Sequence, residues 1–219
     1  MAILLIACNW QAKMTANRPH PLLWNYYQPG DPTMTTHNFP GFSSPSASTE
    51  APLEMLAACH GRVEQQCRTL LRLPPHLQVH GADESARQAA RAVMRYFDTA
   101  AQDHHADEEQ DLFPTLLSVA MESADEAQRL RDLTQALLAD HQRIGGLWRE
   151  LRQALAAVAE AQAIELPLEP VQAFVDAYRR HIELEEGELL PLAARLLSQA
   201  DIGRIGAAMR QRRGIAAID

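Results

Sequence analysis

Long apolar runs are missing from this chain, and so is any excess of positive charge. Although 47% of the 219 residues are hydrophobic, no stretch approaches the roughly 20 consecutive apolar residues that a membrane span needs. The 28 acidic side chains outnumber the 20 lysines and arginines, for a formal net charge of −8. That balance excludes the basic surface on which nucleic acid or an anionic membrane would dock. Aromatic residues make up only 5%, so the core has to be aliphatic, rich in Ala and Leu, as in helical proteins. Cysteine is scarce as well. Cys8, Cys59 and Cys67 form no CxxC pattern, and the last two fall about two helical turns apart, too far to bridge within one helix. They read as reduced thiols of a cytoplasmic protein.

Helical period is absent from residues 1–49. Clusters such as Pro29-Gly30-Asp31-Pro32 and Pro40-Gly41-Phe42-Ser43-Ser44-Pro45 predict an irregular leader. Leu5-Ile6-Ala7-Cys8 loosely resembles a lipoprotein cleavage box, but no basic residues precede it and the apolar stretch is at the short limit for a signal sequence. A poorly structured N-terminus is therefore expected, with Met34 as an alternative start.

From Thr49 onward, apolar residues recur at helical spacing along four segments. The first carries Leu53, Leu56, Val63, Cys67 and Leu70 and is expected to stop at Pro74-Pro75. The second starts near Asp83, a residue suited to an N-cap; it carries Ala90, Val93 and Phe97 and is expected to run past Pro114. The third carries Leu130, Leu137, Ile144, Trp148, Leu151 and Leu155. The fourth opens near Leu168-Glu169-Pro170, with proline in a favoured first-turn position, and carries Val171, Phe174 and Tyr178. Asp201 to Arg213 predicts a short tail helix ending at Gly214, its Arg204, Arg210, Arg212 and Arg213 reading as a solvated face. The expected organisation is an all-α four-helix bundle over residues 50–199, between a leader (1–49) and a C-terminal tail (200–219).

Two of these helices repeat one unusual spelling. His104-x3-Glu108-Glu109-x2-Leu112-Phe113-Pro114 aligns with His181-x3-Glu185-Glu186-x2-Leu189-Leu190-Pro191. A lone histidine on an apolar pattern precedes each copy, His60-Gly61-Arg62-Val63 before the first and His141-Gln142-Arg143-Ile144 before the second. The intervals are 44 residues from His60 to His104 and 40 from His141 to His181. A duplication of this kind implies two tandem helical hairpins and two similar half-sites facing each other.

A histidine and a glutamate four residues apart project from one helix face, about 40° apart and about 6 Å along the axis. His60, His104, Glu108, His141, His181 and Glu185 thus fall on the inward stripes of four helices. Burying that many ionisable groups costs several kcal/mol each unless they are paired or bind metal. Such residues at the centre of a bundle suit a cage for two metal ions, and imidazole with carboxylate suits iron, manganese or zinc. Two bridging carboxylates and four histidines occupy only about eight of the roughly twelve positions of two octahedral ions. The rest are left for solvent and a small ligand such as oxygen, peroxide or nitric oxide. The alternative for each His–Glu pair alone is a buried histidine satisfied by a carboxylate without metal.

The doubled pattern resembles the hemerythrin-like, HHE cation-binding family, over about residues 50–195. The resemblance implies an antiparallel up-down-up-down bundle with a non-haem di-iron centre. In it, Glu108 and Glu185 would bridge the irons, with His60, His104, His141 and His181 as terminal ligands. Oxygen-carrying members have a His-x3-His pair, whereas the positions four residues either side of His141 are Leu137 and Gly145. That departure points away from reversible oxygen carriage. His80 resembles a further ligand histidine of iron-centre repair proteins in the family, but it precedes His104 by 24 residues, about 36 Å of straight helix, and reads as a loop histidine. His105, about 100° around the helix from His104, reads as lying outside the ligand set. Glu109 and Glu186 are rotated similarly, either to accept from ligand imidazoles or to face solvent. Tyr178 reads as core packing within reach of the site. His20, His37 and His76 read as loop residues. The functions implied are binding or sensing of a small ligand, or alternatively iron-centre repair, iron donation, or reduction of peroxide or nitric oxide at the same site. Metal storage fits poorly, since a two-ion site stores little.

Overall fold

A computed structural model describes residues 49–120 and 124–215; Cys8, His20, His37, Met34 and the rest of the leader before Thr49 lie outside the described residues. All regular elements among the described residues are helical, and none of these helices is long and apolar enough to cross a membrane.

Helix α1 spans Pro52–His80 and does not stop at Pro74-Pro75. Two prolines remove two backbone donors, but Leu70, Leu73, Pro74 and Leu77 are all buried and hold the segment on its helical path. The end comes instead at Gly81, whose φ of 65° suits glycine and whose N–H donates to the Leu77 carbonyl. His76 and His80 therefore lie in helix, not in a loop.

Helix α2 (Glu84–Asp98) is capped by Asp83, whose carboxylate accepts from the Ala86 N–H at 2.8 Å. The expected single helix past Pro114 is broken twice. Thr99 leaves helical geometry (φ −129°, ψ −83°) before α3 (Ala100–Asp107), and Glu108–Leu112 forms a π-turn before α4 (Phe113–Val119). Helix α5 (Ala124–Ala159) follows. Helix α6 (Leu168–Leu184) then gives way to a second π-turn, Glu185–Leu189, before α7 (Leu190–Leu196). The repeated proline explains both π-turns. Pro114 and Pro191 have no N–H, and in an α-helix the ring would strike the carbonyl four residues back. Widening the turn avoids the clash. The N–H groups of Phe113 and Leu190 reach back to the Glu108 and Glu185 carbonyls, and each proline sits in the first turn of the helix that resumes.

Helices α1, α2, α5 and α6 form a closed ring in which each packs against two others. Two apolar clusters fill it. One contains Val63, Phe97, Ile144, Trp148, Phe174, Tyr178 and Ile182, and the other Leu56, Leu112, Leu116, Leu137, Leu189 and Leu192. The repeated histidines and glutamates fall between them on every segment, with the chain meeting the clusters in alternating order. His60 lies between Leu56 and Val63, His104 and Glu108 between Ala101 and Leu112, and His141 between Leu137 and Ile144. His181 and Glu185 lie between Tyr178 and Leu189.

The tail helix α8 spans Gln199–Arg212 and begins with a capping box, Ser198 and Asp201 each bonding the other's backbone N–H. It packs on α1, α3 and the first π-turn. Its Gly206 faces the Thr49 carbonyl so closely that a Cβ there would lie 2.0 Å from the oxygen. Gly206→Ala is expected to destabilise the protein by about 1–3 kcal/mol, as overpacking does, in spite of alanine's higher helix propensity. Urea unfolding measures this; unchanged stability would show that the segment at Thr49 gives way freely.

Candidate metal centre

The structure brings all six residues of the repeat together. His60, His104, Glu108, His141, His181 and Glu185 meet in one layer, and none exposes more than 6% of its surface. Glu108 and Glu185 belong to both halves of the cluster: ligand atoms of His60, His104, Glu108 and Glu185 lie within 4.8 Å of one another, and so do those of Glu108, His141, His181 and Glu185. The separations are even. His60 Nε2 lies 3.0 Å from Glu185 Oε2, His104 Nε2 is 3.3 Å from Glu108 Oε1, His181 Nε2 is 3.3 Å from Glu185 Oε1, and His141 Nε2 is 3.4 Å from Glu108 Oε2. His141 Nε2 and His181 Nε2 are 3.2 Å apart.

These atoms approach one another without bonding well. His60 Nε2, Glu108 Oε2 and both Glu185 oxygens are buried and have no aligned hydrogen-bond partner. In a protein interior such orphaned groups are rare and costly. Two donors each about 2.1 Å from one ion and at right angles would lie about 3.0 Å apart, close to the spacings seen. The donor set and its uncommitted atoms fit metal cations.

The second glutamate of each copy has a defined task. Successive helical residues point about 100° apart, so Glu109 and Glu186 emerge beside the layer while Glu108 and Glu185 enter it. Glu109 Oε1 lies 2.6 Å from His141 Nδ1, and Glu186 Oε1 lies 2.9 Å from His60 Nδ1. Each carboxylate accepts the Nδ1–H of a histidine from the other copy and so turns its Nε2 edge inward. Although half exposed, neither glutamate is merely a solvated residue. His104 and His181 have no such partner, their Nδ1 atoms being buried and unbonded.

Charge in the metal-free layer is finely placed. Burial and the neighbouring Glu185 push the Glu108 carboxyl well above the usual range. Burial works against a charge on His60, but Glu185, Glu108 and Glu186 prevail and raise it to about 9. Burial drives His104 well below its ordinary value and His181 down to about 4. Protons therefore collect on Glu108 and His60.

One partner of the layer was not foreseen. Asp107, immediately before Glu108, is wholly buried. Arg212 at the end of α8 and Arg213 just after it both pair with it, Arg213 Nη2 at 2.5 Å from Oδ2 and Nη1 at 3.0 Å from Oδ1. Arg212 also reaches Asp111 at 2.7 Å and Gln110 at 3.1 Å, both in the first π-turn. These two arginines are thus not a solvated face. They latch the tail helix onto the turn that presents Glu108. The contact spans 101 to 106 residues, so no local spacing could reveal it. Arg204 is exposed, as expected, and pairs with Asp201.

Other candidates fall elsewhere. His80 ends α1, where its ring packs 4.7 Å from that of His76, and His76 Nε2 lies 3.0 Å from Asp83 Oδ1. Neither joins the layer. Tyr178 is buried against Phe97 and Phe174, with its hydroxyl 3.5 Å from His105 Nε2. The Tyr96 hydroxyl donates to the Cys59 carbonyl at 3.4 Å. Cys59 and Cys67 are buried free thiols.

Helices that enclose a histidine–glutamate layer define a class of cation-binding helical proteins. Residues 51–193 match the hemerythrin HHE cation binding domain, and the chain belongs to that family. It is also 31% identical over 169 residues to an uncharacterized protein of Haemophilus influenzae, an alignment covering 77% of this chain and 94% of the relative.

Two predictions follow from the charges of the layer and the latch. Folding raises the pKa of both Glu108 and His60 above their unfolded values of about 4.3 and 6.5. Such groups contribute stability that is complete below the unfolded pKa and lost as pH rises through the folded one. Chelated protein is thus expected to melt at lower temperature as pH goes from 6.5 through about 9, the window set by His60. A bound divalent metal should abolish that loss by replacing the protons. Thermal melts with chelator and with metal test this, and a chelated melting temperature that rises over the window would contradict it. For the latch, replacing Arg212 and Arg213 together by alanine leaves Asp107 buried and unpaired, which is expected to cost about 3–5 kcal/mol. Asp107→Asn in the same background should recover part of the loss in urea unfolding. No recovery would mean that the arginines act through packing alone.

Proposed function

We propose that this chain is a non-haem di-iron protein that binds or senses a small ligand, oxygen, nitric oxide or peroxide, at a dinuclear site. In this reading His60 and His104 hold one ion, His141 and His181 the other, and Glu108 and Glu185 bridge them. Its strongest support is the convergence of six buried donor residues, among which His60, Glu108 and Glu185 carry inward atoms that lack aligned partners. Iron bound there would supply redox-active positions open to a small ligand; manganese and zinc suit the same donors.

The chain's own contribution is orientation and exclusion. Glu109 and Glu186 lie against Nδ1 of His141 and His60, so that with an ion bound both imidazoles would present their Nε2 lone pairs to it. Apolar clusters on both sides keep bulk water from the layer. Such a site admits a diatomic molecule or peroxide more readily than a large substrate. We further infer an antiparallel up-down-up-down bundle over residues 50–199, supported by the alternating order in which the chain meets the two clusters. A cytoplasmic location, with neither nucleic acid nor membrane as partner, accords with the net charge of −8.

Metal analysis of protein expressed with iron is expected to give about two ions per chain, with an oxo-bridge absorption after exposure to air. Glu108→Ala and Glu185→Ala should each abolish dinuclear loading. Wild-type protein that takes up no ferrous iron, or variants that still load two ions, would overturn the assignment.

A further inference from the structure

A second grouping of imidazole and carboxylate stands far from the layer, at the corner between α1 and α2. His76 and His80 are four residues apart in the last turns of α1, so their rings project from one face of the helix. The ring centroids are 4.7 Å apart and the planes are inclined by 41°, so the rings are not stacked face to face. An ion about 2.1 Å from a ring nitrogen lies about 3.2 Å from the ring centre. Two imidazoles at right angles about one ion therefore have centroids about 4.6 Å apart, close to the spacing here. Asp83, the N-cap of α2, supplies the carboxylate. Its Oδ1 lies 3.0 Å from His76 Nε2, the separation of two donors on a single ion. The Ala86 N–H also uses Oδ1, and among the described residues Oδ2 has no hydrogen-bond partner. His80 is exposed, and no hydrogen bond among the described residues ties its ring, so it can turn a nitrogen toward the same point.

We propose that His76, His80 and Asp83 form a surface site for zinc or a similar divalent cation, separate from the buried layer. His76 lies 16 residues beyond His60 on α1, about 24 Å along the axis. The site therefore shares no ligand with the layer and does not rest on the dinuclear reading. Two imidazoles and one carboxylate leave a fourth tetrahedral position for water. An ion there joins the end of α1 to the cap of α2 across Gly81 and Ala82, and so stiffens the corner of the first hairpin.

Equilibrium dialysis against zinc tests the site, with the wild type set beside His76→Ala, His80→Ala and Asp83→Asn. Asparagine is as good an N-cap as aspartate, so the last variant removes the carboxylate without loosening α2. Whatever zinc the layer takes up is common to all four proteins, and the difference between them counts the corner ion alone. Each variant should weaken that ion by more than about tenfold, the least that losing even an outer partner of a ligand costs, and leave the remaining uptake unchanged. In the wild type, zinc should shift the ring proton resonances of His76 and His80 together. Equal zinc uptake and affinity in the wild type and His80→Ala would overturn the proposal. So would undiminished binding by Asp83→Asn, or a His80 ring that zinc leaves unshifted.

Discussion

Two glutamates buried side by side govern this structure. Glu108 and Glu185 each belong to both halves of the layer and have almost no contact with water. Two ionised carboxylates in that setting repel each other and lose their hydration, so positive charge has to stand among them. Protons supply it in part, which is why Glu108 and His60 hold theirs so tightly. A divalent ion supplies it better, because it also satisfies the inward nitrogen and oxygen atoms that no hydrogen bond reaches. The apolar layers on both sides make the problem acute, for they remove the water that would otherwise screen it.

Much of this was legible in the sequence because the layer is written twice. A histidine and a glutamate four residues apart carry little information alone; the second copy, and the lone histidines ahead of each, place six residues on inward stripes. The cap at Asp83 and the tail helix near residues 201–213 were legible from local chemistry. Local rules failed where packing outweighed them. Pro74-Pro75 predicts a stop, yet buried Leu73 and Leu77 carry α1 on to His80. Pro114 and Pro191 belong to the repeated spelling, but their effect, a π-turn opening at each layer glutamate, depends on how a helix resumes after a missing N–H. The pairing of Asp107 with Arg212 and Arg213 has no sequence signature, since it joins segments more than 100 residues apart.

The departures from symmetry fall in one copy. Position 105 is His where its counterpart is Ile182, and position 107 is Asp where its counterpart is Leu184. Ile182 and Leu184 both pack with apolar clusters. The first copy instead spends these two positions on polar groups, one facing the His141 and His181 side and one facing the tail helix. A chain that duplicated a hairpin only to build a core would have little reason to bury Asp107 and then bring two arginines across the fold to neutralise it, since an apolar residue of similar size is often as stable there.

That comparison bears on what the tail helix is for. Residues 199–212 lie beyond the segment that matches the family, yet α8 reaches the π-turn that opens with Glu108 through Arg212, which contacts Asp107, Gln110 and Asp111. A π-turn is wider and less well bonded than the helix around it, and the carboxylate it presents has to keep its direction against repulsion from Glu185. Guanidinium groups fixed on three of its neighbours stiffen that turn from outside, while Gly206 lets α8 approach Thr49 closely enough to hold its own position. Among the described residues no equivalent pair of arginines meets the second π-turn; Glu188 meets Arg129 on the surface at 3.0 Å, a contact worth little in water. The turn that presents Glu108 is therefore braced from outside by more charged partners than the turn that presents Glu185.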